Sequence, residues 1–347
     1  MMRLSLTVEL AATLGAIMHE IQKDSSADRT SNLASRLDDI LQAVLDARAI
    51  DPGNLRPVDV LAWSTRDAIL TEALSPQERL DRLANAVATL ESIDRGTLSD
   101  KQLAQLDRRG VELNRLLGKD DALWENLRSL EVNKDPAATY FLAKFEAEGG
   151  PAGQRAALKR LCSAPIATQN DWRCAQLLLE LTWQDVTGHR LLRGERLPIH
   201  LSESALNTLL RWTTALSDAD LPDRYKLLFV QAVANFALGN YADAASIFRE
   251  VENLTRQLAR RIHTALVLAN EDGEPDVFTG RIEWVEGRWG KVRVEELATS
   301  VWFEPRLFSA SQELARNQQL PAFIIGFKLS RGAVAEPRTM YRNPRSR

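Results

Sequence analysis

The chain has 347 residues, of which 45% are hydrophobic and 26% are charged, and its formal net charge at pH 7 is −3. This composition excludes a disordered chain and is typical of a globular protein long enough for two domains. No apolar run approaches the roughly 20 residues of a membrane span, so no membrane association is expected. Two cysteines without metal-ligand spacing fit a reducing compartment. From Met1 to Lys23 an apolar stretch is broken by Glu9 and ends in charged residues without a small-residue cleavage site, which predicts a helix rather than a secretion signal. We therefore expect a cytoplasmic protein.

The charge is distributed unevenly along the chain. From Val277 onward there are 12 Lys and Arg against 7 Asp and Glu, a net charge of +5. The first 276 residues carry 32 against 40, a net charge of −8. Residues 339–347 are predicted to form a basic tail, which would be attracted to polyanions.

The first 270 residues show the apolar spacing of one amphipathic helix after another. Two capping boxes, Ser75 to Glu78 and Ser99 to Gln102, predict helix starts, and Gly118 predicts a helix end. Successive helices with short connections predict an α-solenoid over residues 1–270. Five tryptophans at helical spacing are expected to pack inside it: Trp63, Trp124, Trp172, Trp183 and Trp212.

A repeat signature supports the solenoid. Gly239, Tyr241, Ala244 and Phe248 occur at the spacing of a helix-turn-helix junction, in which a small alanine lets two helices approach closely. The segment from Asp223 to Thr255 resembles a tetratricopeptide repeat, and weaker glycine spacings earlier in the chain fit degenerate copies. The resemblance implies a tetratricopeptide-like solenoid that binds a protein partner, whose identity the sequence does not give.

The segment from Gly280 to Phe303 contains three of the chain's eight tryptophans. The alternating residues Ile282 and Trp284, followed by Val292 and Val294, predict two strands of period two. Residues 286–288 supply the turn between them, so the segment is predicted to form a β-hairpin.

This segment resembles the cold-shock domain, a five-stranded OB-type barrel that binds single-stranded nucleic acid. The resemblance is carried by motifs of three strands: Gly280, Ile282 and Trp284; Gly287, Trp289 and Gly290; Val301, Trp302 and Phe303. Pro321 to Phe327 and Gly332 to Ala335 look like the fourth and fifth strands. The chain departs from the family at Lys291, where an aromatic is usual, and at Glu304, where histidine is usual. The implied barrel covers residues 277–338.

The resemblance also implies a binding surface on this barrel. Tryptophan rings would stack on bases while neighbouring cations attract phosphates. The candidate nucleic-acid-binding residues are Trp284, Arg288, Trp289, Lys291, Arg293 and Trp302.

Motifs of the common catalytic sites are missing from the sequence. Gly287 to Lys291 lacks the spacing and the following Ser or Thr of a phosphate loop, and there is neither a Gly-x-Ser-x-Gly elbow nor a His-Glu-x-x-His helix. The four histidines are dispersed along the chain. We expect a protein that is not an enzyme and that holds no metal and no cofactor.

These patterns predict a mainly α protein, in which a tetratricopeptide-like solenoid precedes a small five-stranded OB-type β-barrel. The function expected is that of a non-enzymatic adaptor, which joins a protein partner to single-stranded RNA or DNA. The alternative is a purely protein-binding scaffold, or a regulatory or sensor subunit, whose barrel does not bind nucleic acid.

Overall fold

The computed structural model of the chain describes residue 9 and residues 29–70, 74–188, 191, 197–217, 224–256, 266–308 and 314–340. Within these ranges the chain forms thirteen α-helices and seven β-strands. It divides into two compact units, residues 1–142 and 143–347.

The first unit is helical. Its helices are α1 (Arg29–Ile50), α2 (Leu55–Leu70), α3 (Pro76–Glu91), α4 (Asp100–Leu117), α5 (Asp120–Val132) and the beginning of α6 (Pro136–Ala147). From α1 to α5, each helix packs against the next one in sequence. Both predicted capping boxes are present, at Ser75 before α3 and at Ser99 before α4. Gly118 ends α4 in the left-handed conformation, as predicted.

The second unit begins with six further helices, of which the last four pack in sequence, each against the next. They are α7 (Gly150–Ser163), α8 (Ile166–Gln169), α9 (Trp172–Thr187), α10 (Glu203–Ala215), α11 (Arg224–Ala237) and α12 (Tyr241–Thr255). The pair α11 and α12 occupies the predicted repeat. Gly239 turns the chain between them with a φ of +83°, and Ala244 is completely buried. The Phe236 and Tyr241 rings meet edge to face at 5.1 Å.

The strands form a barrel at the carboxyl end of the second unit. They are β1 (Leu197–Ile199), β2 (Leu266–Leu268), β3 (Phe278–Glu286), β4 (Trp289–Val294), β5 (Thr299–Phe303), β6 (Gln319–Lys328) and β7 (Gly332–Pro337), with helix α13 (Pro305–Phe308) after β5. Five strands close a ring in the order β3, β4, β5, β7, β6, in which only the β5–β7 pair is parallel. The prediction of a mainly α chain with a small five-stranded barrel is confirmed.

Strands β1 and β2 extend the barrel's sheet and were not predicted. β2 pairs antiparallel with β6, and β1 pairs parallel with β2 through Leu197 and Leu266. The predicted domain limits, 1–270 and 277–338, therefore stay predictions. Of the predicted basic tail, residues 341–347 lie outside the described residues.

Helices α11 and α12 cover one side of the barrel. The Phe327 ring of β6 stacks on the Phe248 ring of α12 at 5.9 Å and meets Phe236 of α11 at 5.3 Å. Gly332, at the start of β7, lies so close to Phe248 that a Cβ atom there would be 2.6 Å from the ring. Barrel and helix pair thus share a packed aromatic contact within the second unit.

The helical tryptophans differ in burial. Trp183 and Trp212 are buried and Trp63 packs partly buried against the core of the first unit, as expected. The expectation is wrong for Trp124 and Trp172, which are each 47% exposed, because both lie in the first two turns of their helices, where the described residues leave much of each side chain uncovered. No helix in the described ranges combines the length and apolar character needed to cross a bilayer.

Candidate nucleic-acid interface

The β3–β4 hairpin sets up the candidate interface. Its turn contains Gly287 with a φ of +57°, at the predicted position. Ile282 pairs with Val292, and both side chains are completely buried in the barrel. A β-bulge then interrupts the predicted alternation, so that Trp284 stands opposite Lys291, on the outer face.

Trp284, Lys291 and Trp302 form one cross-strand row over β3, β4 and β5. The Trp284 and Trp302 rings meet edge to face, with centroids 5.7 Å apart and planes at 90°. Trp289 lies two residues before Lys291 on the same strand and therefore projects from the same face. All three tryptophans are partly exposed. We call Trp284, Trp289, Lys291 and Trp302 the tryptophan face.

Three cations lie over these rings. Lys291 Nζ is 5.1 Å from the centroid of the Trp302 ring, and the guanidinium of Arg288 is 5.7 Å from that of Trp289. The guanidinium of Arg331, from the β6–β7 turn, is 5.1 Å from Trp289 and 5.3 Å from Trp302. Such contacts hold both partners in place by cation–π attraction.

Two of the three cations are ion-paired. Arg288 Nε donates a hydrogen bond to Glu304 Oε1 at 2.9 Å, so Glu304 neutralises a candidate phosphate contact. Arg331 Nη1 donates to Glu252 Oε1 of helix α12 at 3.0 Å. Within the described ranges, Lys291 has no carboxylate partner and remains the uncompensated cation of the tryptophan face.

Close packing explains two glycines of the hairpin. A Cβ at Gly280 would lie 2.4 Å from the carbonyl oxygen of Arg293. A Cβ at Gly290 would lie 2.4 Å from Cε1 of Phe303, whose ring fills the barrel. Both glycines are therefore required for the strands to pack at this spacing.

Beside the row, a groove of about 640 Å³ opens on the outer face of β3 and β4. Its lining residues are Arg281, Ile282, Glu283, Trp284, Arg293, Glu295, Arg316 and Asn317. We call it the arginine groove. Trp284 thus belongs both to the tryptophan face and to the wall of this groove.

Comparison of the chain with protein-family models, with curated proteins and with solved structures found no match. The interpretation of the site therefore depends on its geometry. Among the described residues, no group of three or more His, Cys, Asp or Glu side chains is placed to hold a metal ion.

The structure brings the six predicted site residues to one side of the barrel. Four of them lie on the β3–β4 hairpin: Trp284, Arg288, Trp289 and Lys291. Trp302 lies next to them on β5, and Arg293 lies in the arginine groove. Sequence reasoning missed Arg331 and Glu252, which are 79 positions apart. Arg281 faces outward together with Trp284, because the bulge after Ile282 shifts the alternation between the two residues.

Proposed function

We propose that the barrel binds single-stranded RNA or DNA on its tryptophan face, and that the helical region acts as a tetratricopeptide-like solenoid for a protein partner. The chain is then a non-enzymatic adaptor of the cytoplasm. The observation that carries the proposal is the cross-strand row of Trp284, Lys291 and Trp302.

This row suits unpaired bases. Stacking of one base on an aromatic side chain is worth about 1 to 3 kcal/mol and tolerates any base, because every base has a π face. Lys291 adds a cation that attracts phosphates without reading sequence. The expected binding is of modest affinity, dependent on salt and not specific for sequence.

The packing of successive helices supports the proposed protein-binding role of the helical region. Each helix from α9 to α12 packs against the next, which is the arrangement of stacked helical repeats. In α5, the exposed Trp124 and Val132 are eight positions apart, which places them about 80° apart around the helix axis. Large apolar side chains that stay exposed on a helix are available to contact a protein partner.

The alternative function is supported by a different observation. Arg331 lies over Trp289 and Trp302 and is held there by Glu252, so part of the ring surface is already occupied. A barrel whose rings serve only this contact would belong to a protein-binding scaffold, or to a regulatory or sensor subunit.

Fluorescence anisotropy with a labelled single-stranded 12-mer tests the proposal, using RNA and DNA probes in parallel. The double variant Trp284→Leu with Trp302→Leu keeps apolar side chains at both positions but removes both stacking rings. We expect it to bind about 30-fold more weakly or worse, because two stacking contacts of about 1 kcal/mol or more are lost. Trp172→Leu, at a tryptophan 47% exposed on helix α9, is the matched control and should bind like the parent.

Circular dichroism of the double variant establishes that its helical content is unchanged. Equal affinity of the folded double variant and the parent for both probes would remove the proposal and leave the alternative.

A further inference from the structure

The arginine groove has an unusual charge arrangement. Arg281 on β3 pairs directly with Arg293 on β4, and Arg316 approaches from the segment before β6. Glu283 and Glu295 also line the groove, yet none of the three arginines is ion-paired with them or with any other residue in the described ranges. The groove thus holds three guanidinium groups and two carboxylates that are not joined in ion pairs, which leaves an excess of one positive charge.

Like charges directly opposite each other on neighbouring strands destabilise a sheet. The Arg281–Arg293 pair therefore costs the isolated barrel stability, and an anion placed between the two guanidinium groups would remove that cost. Guanidinium groups match the oxygen geometry of phosphate, to which they donate parallel hydrogen bonds.

The groove adjoins a stacking ring. Trp284 forms part of its wall and at the same time belongs to the row with Trp302. A volume of about 640 Å³ exceeds what one phosphate needs and leaves room for the attached sugar. A base on Trp284 would therefore place its own phosphate within reach of Arg281 and Arg293.

We propose that the arginine groove is a backbone-phosphate subsite, which holds the phosphodiester next to the base stacked on Trp284. The inference rests on the proposed function and adds the direction in which a bound strand crosses the barrel. A single strand then runs from Trp302 over β4 to Trp284 and leaves the barrel through the groove, between β3 and the segment that carries Arg316.

The salt dependence of binding tests this subsite. For single strands, each phosphate contact contributes about 0.7 to the slope of log K against log salt. We expect Arg281→Gln and Arg316→Gln each to lower affinity about fivefold at low salt and to reduce the slope by about 0.7. Arg306→Gln, at an exposed arginine of helix α13 outside the groove, is the matched control and should keep the parental slope.

A second readout separates binding from folding. Without nucleic acid, Arg281→Gln should raise the melting temperature of the protein, because it removes the like-charge pair. If Arg281 instead stabilised the fold, the same substitution would lower the melting temperature. Loss of binding together with a lowered melting temperature would overturn the inference.

The two proposals fail in distinguishable ways. If Arg281→Gln and Arg316→Gln keep the parental affinity and slope while the Trp284→Leu, Trp302→Leu variant still loses binding, the phosphate subsite is wrong and the tryptophan face stands. A probe whose affinity depends only on a 5′ or 3′ terminal phosphate would likewise overturn a backbone-phosphate subsite. If no variant changes binding, both proposals are wrong.

Discussion

The carboxylate of Glu252, in helix α12, accepts a hydrogen bond at 3.0 Å from Arg331, whose guanidinium lies over both the Trp289 and Trp302 rings. Both charged side chains are about one-third exposed. One ion pair thus joins the helical part of the second unit to the candidate nucleic-acid interface, and it lowers the positive charge presented there.

Removing the acid of this ion pair should strengthen nucleic-acid binding. In Glu252→Gln the charge of Arg331 is no longer compensated, and one further cation beside a bound phosphate is worth about 1 kcal/mol when the pair is fully solvated, or roughly fivefold in affinity. Glu250→Gln is the matched control, because it removes an exposed acid of the same helix that pairs with Arg224. Anisotropy titrations at low salt measure both. Equal gains in the two variants, or a loss in Glu252→Gln, would contradict a specific role of Arg331.

Glu304 should restrain binding in the same way, through Arg288. We expect Glu304→Gln to raise affinity several-fold and to increase the salt slope by about 0.7, because Arg288 becomes free to contact a phosphate. Glu286→Gln removes an exposed acid from the same hairpin and controls for the general loss of negative charge. If Glu286→Gln increases the slope by the same amount, Arg288 makes no specific phosphate contact.

Gly332→Ala should loosen the contact between helix α12 and the barrel. The substitution forces a Cβ to 2.6 Å from Cγ of Phe248 at a φ of +69°, and overpacking of this kind costs about 1 to 3 kcal/mol beyond the strain of the left-handed conformation. Gly239→Ala shares the positive φ but has no atom within 4 Å, so it measures the strain alone. Urea unfolding compares the two. An equal free energy of unfolding would show that the loop adjusts to the added methyl group.

The two capping boxes are expected to differ in their response to acid. Hydrogen bonds from the side chain and backbone of Ser75 lower the pKa of Glu78. Because that pKa is lower in the folded state, the stabilisation is present above the ordinary pKa of glutamate and is lost as the pH falls through the folded pKa. Urea midpoints should therefore show a larger loss of stability in Ser75→Ala at pH 7 than at pH 3, because the hydrogen bond from the Glu78 N–H to Ser75 Oγ is lost at both pH values.

Ser99→Ala is the control for this pH dependence, since its capping partner, Gln102, does not titrate. Its loss of stability should be similar at both pH values. A pH-independent loss in Ser75→Ala as well would mean that the Glu78 carboxylate does not contribute to the cap.

Local signals in the sequence were sufficient for much of the fold. The capping boxes, the turn at Gly287 and the strands around Val301 and Phe323 depend on residues close in sequence, and each is present where it was predicted. The short strand β2 escaped prediction because three residues carry too little periodicity to distinguish a strand from the end of a helix.

The candidate site was predictable in its rings but not in its charges. Trp284, Trp289 and Trp302 lie in one segment that also contains several glycines, so their grouping was visible in the sequence. Whether a nearby arginine is neutralised depends instead on which carboxylate the fold brings next to it. Arg331 meets an acid 79 positions away, and no local pattern encodes such a pairing. The bulge after Ile282 likewise results from the register of two strands rather than from either one alone.

The position of strand β1 in the sequence affects how the protein folds during its synthesis. Its partner β2 lies 69 positions further along, and β2 in turn pairs with β6 near residue 326. Helices α10, α11 and α12 lie between β1 and β2 in the sequence, so Leu197–Ile199 is synthesised before all three helices and before its partner strand. A nascent protein halted before residue 319 would expose an unfinished edge, and chaperone capture of ribosome-bound chains should be greatest in that interval.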